Sequence, residues 1–451
     1  MRQPMTWMRH PFKKALARLI AALALAAPAF AAQAEGFQVS RGINFDQWTT
    51  WPQRADWGDA AKVIPFPEWR RTMTDADLGR LKAAGLDFVR MPLDPRILLA
   101  PEADGLRASL MGEVRKAIRF VTGSGLKVIV DLHAIPDGSD IGAVALAAEP
   151  AAFDRYLGFV ADMAKLVADE PADRVALGLF NEPVIACEQP GKWTPLLKRL
   201  HDTARNAAPE TPLVLTGGCW SNAESLAALD PAGIDDGNVL WEFHSYAPFV
   251  LTHQGAGWTG DFSPYVTGLP YPLDAAPRAT IETAVKAAKR RFSDSLGWKK
   301  ARAHSAYLDQ LMAEIDTPEK LSDAMEAPIA LATGWADRHG VAHDRLLLGE
   351  FGMIRQEYGS AFTMPAPWRA AYYRDIIALA EKHGVAWAMW SYGGAFGIVE
   401  AFGGEPAEPD VLDMVAALPE RHEASIASDP APAKLLFDLS LRPSLEPVAL
   451  R

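Results

Sequence analysis

Cysteine is almost missing from this chain: of 451 residues only Cys187 and Cys219 are cysteine. Two thiols build neither a disulfide framework nor a cysteine-rich metal centre, and their spacing matches no metal-binding motif. In an oxidising compartment they either bridge, closing a loop worth roughly 3–4 kcal/mol in the chain-entropy picture, or stay free; the residues leave both open. Basic residues are also in short supply, 45 Lys and Arg against 56 Asp and Glu, for a formal charge of −11. An acidic chain is a poor partner for nucleic acid and anionic membranes, while neutral sugars stay permitted. Apolar content is ordinary and nothing suggests disorder. The length suits one large barrel with insertions, or two smaller domains.

The amino terminus differs from the rest. Arg9, Lys13, Lys14 and Arg18 precede the apolar run Leu19–Ala27, and Ala32-Gln33-Ala34 follows before Glu35. A basic region, a short apolar region and a small-x-small site read as a secretory signal peptide over residues 1–34. The run is short for a bilayer anchor. Export to the periplasm or the medium is expected, and removing the five basic residues of this segment takes the formal charge to −16.

What the chain has in quantity is apolar strands that end in chemistry. Val175 to Phe180 runs straight into Asn181-Glu182-Pro183, and Leu346-Leu347-Leu348-Gly349 opens onto Glu350. Buried parallel strands deliver their carboxyl ends to a shared rim, so two strand-end glutamates suggest paired acid chemistry: one carboxylic acid protonates a departing oxygen while an ionised carboxylate attacks the anomeric carbon or activates water. Either glutamate alone is as often a loop salt bridge, but other strand ends add to the set. Arg90 follows Phe88-Val89, His133 follows Val128 to Leu132, His244 and Tyr246 close the strand from Val239, and Trp390 ends Ala386 to Met389. Guanidinium, imidazoles, amide, phenol and indole are the groups a sugar site uses.

In that order, these residues resemble glycoside hydrolase family 5, the cellulase family built on the (β/α)8 barrel, in what looks like a bacterial branch. The likeness runs from about Arg41 to about Gly404. It implies Glu182 as acid/base, Glu350 as nucleophile, and Arg90, His133, Asn181, His244, Tyr246 and Trp390 around the substrate. The resemblance implies no cofactor and no metal. The expected partner is a polysaccharide or oligosaccharide; nucleic acid, and a membrane after signal cleavage, are not expected, and the protein is expected to be a monomer.

Helical segments alternate with the strands, Gly85, Gly125 and Gly384 each standing just before a strand, which predicts an α/β (β/α)8 TIM barrel over residues 35–418 and a tail over 419–451. The connection after Tyr246 is too long for one βα unit. It predicts an insertion over about 247–317 that walls the cleft, with Trp258 touching substrate. Trp48, Trp51, Trp57 and Trp69 cluster after the first strand; one or two, Trp48 first, are expected to meet sugar and the rest to pack. The leading expectation is a retaining endo-β-1,4-glucanase. Its rivals are action on mannan, β-1,3-glucan or the producer's own exopolysaccharide, and a catalytically silent sugar-binding barrel.

Overall fold

A computed structural model describes residues 36–46, 51–64, 73–135, 139–185, 187–401 and 406–419. The expected signal peptide, Trp48, Trp69 and all of the tail beyond Pro419 lie outside the described residues.

Among the described residues eight parallel strands close on themselves: β1 (Arg41–Asn44), β2 (Phe88–Leu93), β3 (Lys127–Leu132), β4 (Val175–Gly178), β5 (Leu213–Thr216), β6 (Val239–His244), β7 (Leu346–Phe351) and β8 (Ala386–Met389). Each pairs with its successor, and β8 pairs back onto β1 through Gly42 and Ala388. Helices follow the strands, as in Asp75–Ala83, Arg107–Gly123 and Pro150–Ala168. The fold is a (β/α)8 TIM barrel with a long insertion after strand six. Gly85, Gly125 and Gly384 all adopt positive φ, the left-handed turn that ends a helix and sends the chain into the next strand.

Side chains alternate across a strand, so each strand splits its residues between the helix layer and the barrel interior. Phe88, Ile129, Ala176, Val214, Leu240, Leu347, Ala386 and Ala388 form an apolar plug inside. Two residues further along, the same inward rows present Arg90, Asp131, Thr216 and Glu242, all buried. The barrel interior therefore changes from apolar to charged as it approaches the carboxyl ends of the strands.

β7 departs from strict alternation. Phe243 pairs with Leu348 but His244 with Glu350, and β8 skips likewise between Leu348 and Phe351. One extra residue in β7 is a bulge. Without it Leu347 and Gly349 would face inward and Glu350 outward; with it Glu350 turns into the barrel.

The long connection after β6 contains short turns and then two helices, Arg278–Ser295 and Trp298–Glu314, before the helix Pro318–His339 that packs on the barrel. Trp51 and Trp57 are buried and donate to the carbonyls of Asp94 and Pro52, so these two hold their loop down.

Candidate active site

The site is built on Arg90, a fully buried guanidinium on β2. Nη1 donates to Glu350 Oε1 at 3.0 Å and to Asn44 at 2.9 Å, while Nη2 donates to Asn181 at 2.8 Å. Asp131 and Glu242 complete its shell at 3.1 and 2.7 Å. Burial alone would drive this group toward losing its proton, but Asp131, Glu242 and Glu350 outweigh it and hold Arg90 more firmly charged than a free arginine. A buried cation among three carboxyls is stable because each of those buried carboxyls also needs a counter-charge.

Glu350 lies opposite Arg90 and accepts a second hydrogen bond, 2.9 Å, from the Tyr246 hydroxyl. Burial lifts its carboxyl above the ordinary range, the neighbouring Glu182 adds to the rise, and His244 and Arg90 pull against it. Tyr246 and Arg90 both donate to this carboxyl, yet desolvation prevails over them in the free site. Tyr246 itself, buried beside two carboxyls, is held well above the usual phenol range.

Glu182 approaches from the other side. Its side chain is 26 % exposed against 5 % for Glu350, and Nδ1 of His244 lies 2.9 Å from its Oε1. One carboxylate oxygen each from Glu182 and Glu350 and a ring nitrogen of His244 lie within 4.8 Å of one another. Burial opposes a charge on His244, but Glu350, Glu182 and Glu242 overcome it and push the imidazole up to about 10.

The segment that carries Glu182 is held in an unusual way. Glu182 has φ 40°, and Cys219, Trp220 and Ser221 on the turn after β5 also have positive φ. Backbone N–H of Glu182 donates to Ser221 Oγ at 3.2 Å, Trp220 N–H donates to the Pro183 carbonyl, and a Cys187–Cys219 disulfide joins the two loops. The left-handed conformation is costly for residues with a side chain, and these contacts hold it in place. Of the two states the sequence leaves open for the cysteines, the structure has the bridge.

His133 takes its orientation from Asp131, 2.8 Å from Nδ1, and presents Nε2 to Asn181 Nδ2 at 3.2 Å. Desolvation works against its proton, yet Asp131 raises its affinity overall. Trp390 stacks on the His133 ring at 5.7 Å and 18°, and follows β8 directly. Trp258, 39 % exposed, touches the rings of His253 and Phe396, which in turn contact Tyr246.

The structure thus brings Arg90, His133, Asn181, Glu182, His244, Tyr246, Glu350 and Trp390 to one rim, with Trp258 at its edge; Trp48 lies outside the described residues. Sequence reasoning overlooked Asn44, Asp131, Ser221 and Glu242. Asp131 and Glu242 carried a signal: a carboxyl inside an otherwise apolar strand is paid attention to only if inward alternation is traced from Ile129 and Leu240. Ser221 carried none, because its role depends on a turn conformation.

A closed (β/α)8 barrel with paired carboxyls among sugar-binding side chains at its carboxyl rim defines a barrel glycoside hydrolase. More particularly, residues 42–396 match cellulase (glycosyl hydrolase family 5), and the chain belongs to that family. It is 22 % identical over 354 residues to Endoglucanase C of Acetivibrio thermocellus, covering 78 % of this chain and 90 % of the relative. It is 21 % identical over 383 residues to Endoglucanase 3 of Fibrobacter succinogenes, matching 80 % of this chain but only half the length of that protein. A hyperthermophilic endo-β-1,4-glucanase solved with substrate shares the fold at a TM-score of 0.59 and 19 % identity, over 84 % of this chain and 96 % of that one.

Proposed function

We propose that this glycoside hydrolase is an exported, retaining endo-β-glycanase that cuts β-1,4-glucan. The observation that supports the retaining assignment is that one carboxylate oxygen of Glu182 lies within 4.8 Å of one of Glu350, a close approach of the kind expected of retaining enzymes, whose carboxyl groups stand roughly 5–5.5 Å apart. Glu350 Oε1 or Oε2 attacks the anomeric carbon as the glycosidic C–O bond breaks, and Glu182 gives its proton to the departing oxygen. Water then enters, Glu182 takes a proton from it, and the new C–O bond releases Glu350. Two neighbouring carboxyls resist double ionisation. Arg90 and Tyr246 both donate to Glu350, and Glu182, the more exposed of the two and beside His244, is the carboxyl placed to protonate the departing oxygen. His133 and Asn181 hold hydroxyls, and Trp390 forms the sugar floor.

Endo action on a glucan is supported by the names of the two relatives, both endoglucanases, and the β-1,4 linkage by the name of the structural neighbour, an endo-β-1,4-glucanase. Export is supported by the basic, apolar and small-residue pattern of the first 34 residues; among the described residues no helix is long and apolar enough to cross a membrane.

The roles separate in a single experiment. Glu350→Gln abolishes turnover of cellulosic substrates and aryl glycosides alike. Glu182→Ala retains the first step for aryl glycosides with good leaving groups, and azide accelerates its second step by replacing water as a nucleophile that needs no base. An azide response from Glu350→Ala and none from Glu182→Ala would contradict the assignment.

A further inference from the structure

Within the site, the mechanism above leaves the buried carboxyl of Glu242 without a task. Glu242 lies mid-strand on β6, 3 % exposed, and makes or breaks no bond in the reaction. Such a group is costly inside a protein, and an apolar residue of the same size would serve packing as well or better. Its surroundings are specific. Arg90 Nε lies 2.7 Å from Oε1, and His244 Nε2 lies 3.4 Å from the same oxygen. Arg90 in turn holds Glu350 at 3.0 Å, and the other nitrogen of His244 holds Glu182 at 2.9 Å.

Glu242 also shares its space with the β7 bulge. A Cβ on Gly349 would run into the Glu242 carboxylate, so the residue that lets Glu350 turn inward is glycine where Glu242 needs the room. The Gly349 carbonyl is fixed from behind by Asn44 Nδ2 at 2.9 Å. Arg90 Nε and His244 Nε2 are buried and converge on Glu242 Oε1, where the contact is of charge with charge.

We infer that Glu242 is a positioning residue that couples the two halves of the catalytic pair, holding Arg90 toward Glu350 and His244 toward Glu182 through one shared carboxylate. The inference rests on the roles given above to Glu182 and Glu350. The route runs from Glu350 through Arg90, Glu242 and His244 to Glu182, and every link is a direct contact of the resting site. The charged and titratable groups facing His244 are Glu182 after β4, Glu242 on its own strand and Glu350 on β7, with Asp131 on β3 further off. Arg90 on β2 and His133 just after β3 complete the charged set around the site.

Glu242→Gln keeps the shape and removes the charge, so His244 loses one of the carboxylates that retain its proton. The pH at which the His244 ring loses its proton, followed by NMR, should move down by about one unit. Loss at the pH optimum should be roughly a hundredfold for aryl glycosides with poor leaving groups, which need Glu182 well placed, and only a few-fold for good ones. Glu242→Asp, with charge kept and reach shortened, should lose activity while the His244 titration stays near its native position. An even loss across all leaving groups with an unmoved His244 titration in Glu242→Gln would make Glu242 a packing residue and overturn the inference.

If the glutamine variant does not fold, Glu242→Asp decides: its loss should be larger on aryl glycosides with poor leaving groups than on good ones, and an equal loss on both would overturn the coupling. Glu350→Gln serves as the separate control: if it stays active, the roles of the pair are wrong, whatever Glu242 does.

Discussion

His244 and His253 are nine residues apart in the chain but sit in opposite surroundings. His244, among carboxyls, is pushed up to about 10, whereas His253, packed against Tyr246, Phe249 and Phe396, is pushed down to about 3 by burial. Stability follows with opposite signs. A histidine raised in the fold contributes fully below its unfolded value of about 6.5 and loses that contribution as pH climbs toward about 10. A histidine lowered in the fold contributes above about 6.5 and loses it as pH falls toward about 3, because the unfolded chain takes the proton first. The melting temperature should therefore peak near neutral pH. Calorimetry of His253→Phe should show the acid side flattened and the alkaline side unchanged. An unchanged acid slope would mean that other groups govern acid unfolding.

At the scale of elements, the β7 bulge and the insertion after β6 give the site its shape. Gly349→Ala forces a methyl group into the Glu242 carboxylate, so the bulge must shift or Glu242 must move. Overpacking of this kind costs about 1–3 kcal/mol. Here it should also lower kcat, since Glu350 sits on the next residue, and a folded variant with native kcat would show that the bulge tolerates displacement. In the insertion, Trp258 reaches the site edge through His253 and Phe396. If it forms a subsite wall, Trp258→Ala should weaken turnover of long oligosaccharides by about tenfold to a hundredfold, by analogy with the 1–3 kcal/mol of base–aromatic stacking, and spare short aryl glycosides. Equal loss on both substrates would assign it to packing. The strands themselves were legible in the sequence, because buried parallel strands are short apolar runs that end in polar residues. The bulge was not, since nothing in Leu346 to Phe351 states that one residue is left out of register; Gly349 was its only trace.

For the whole molecule, the barrel explains why so much of the site could be read in advance. Eight strands running one way bring their carboxyl ends together, so Arg90, His133, His244, Glu350 and Trp390 needed only to be recognised as strand ends. What stayed hidden depends on distance through the interior: Glu242 between Arg90 and His244, or Ser221 beneath Glu182, joined by contacts between residues far apart in sequence. The Cys187–Cys219 bridge belongs to the same class, tying the loop after β4 to the turn after β5. The central claim is that Glu182 and Glu350 act as a retaining pair, and its most direct test is proton NMR of the anomer released first from a β-linked oligosaccharide, read before mutarotation. The β anomer should appear first and decay toward equilibrium; first appearance of the α anomer would show inversion and contradict the account.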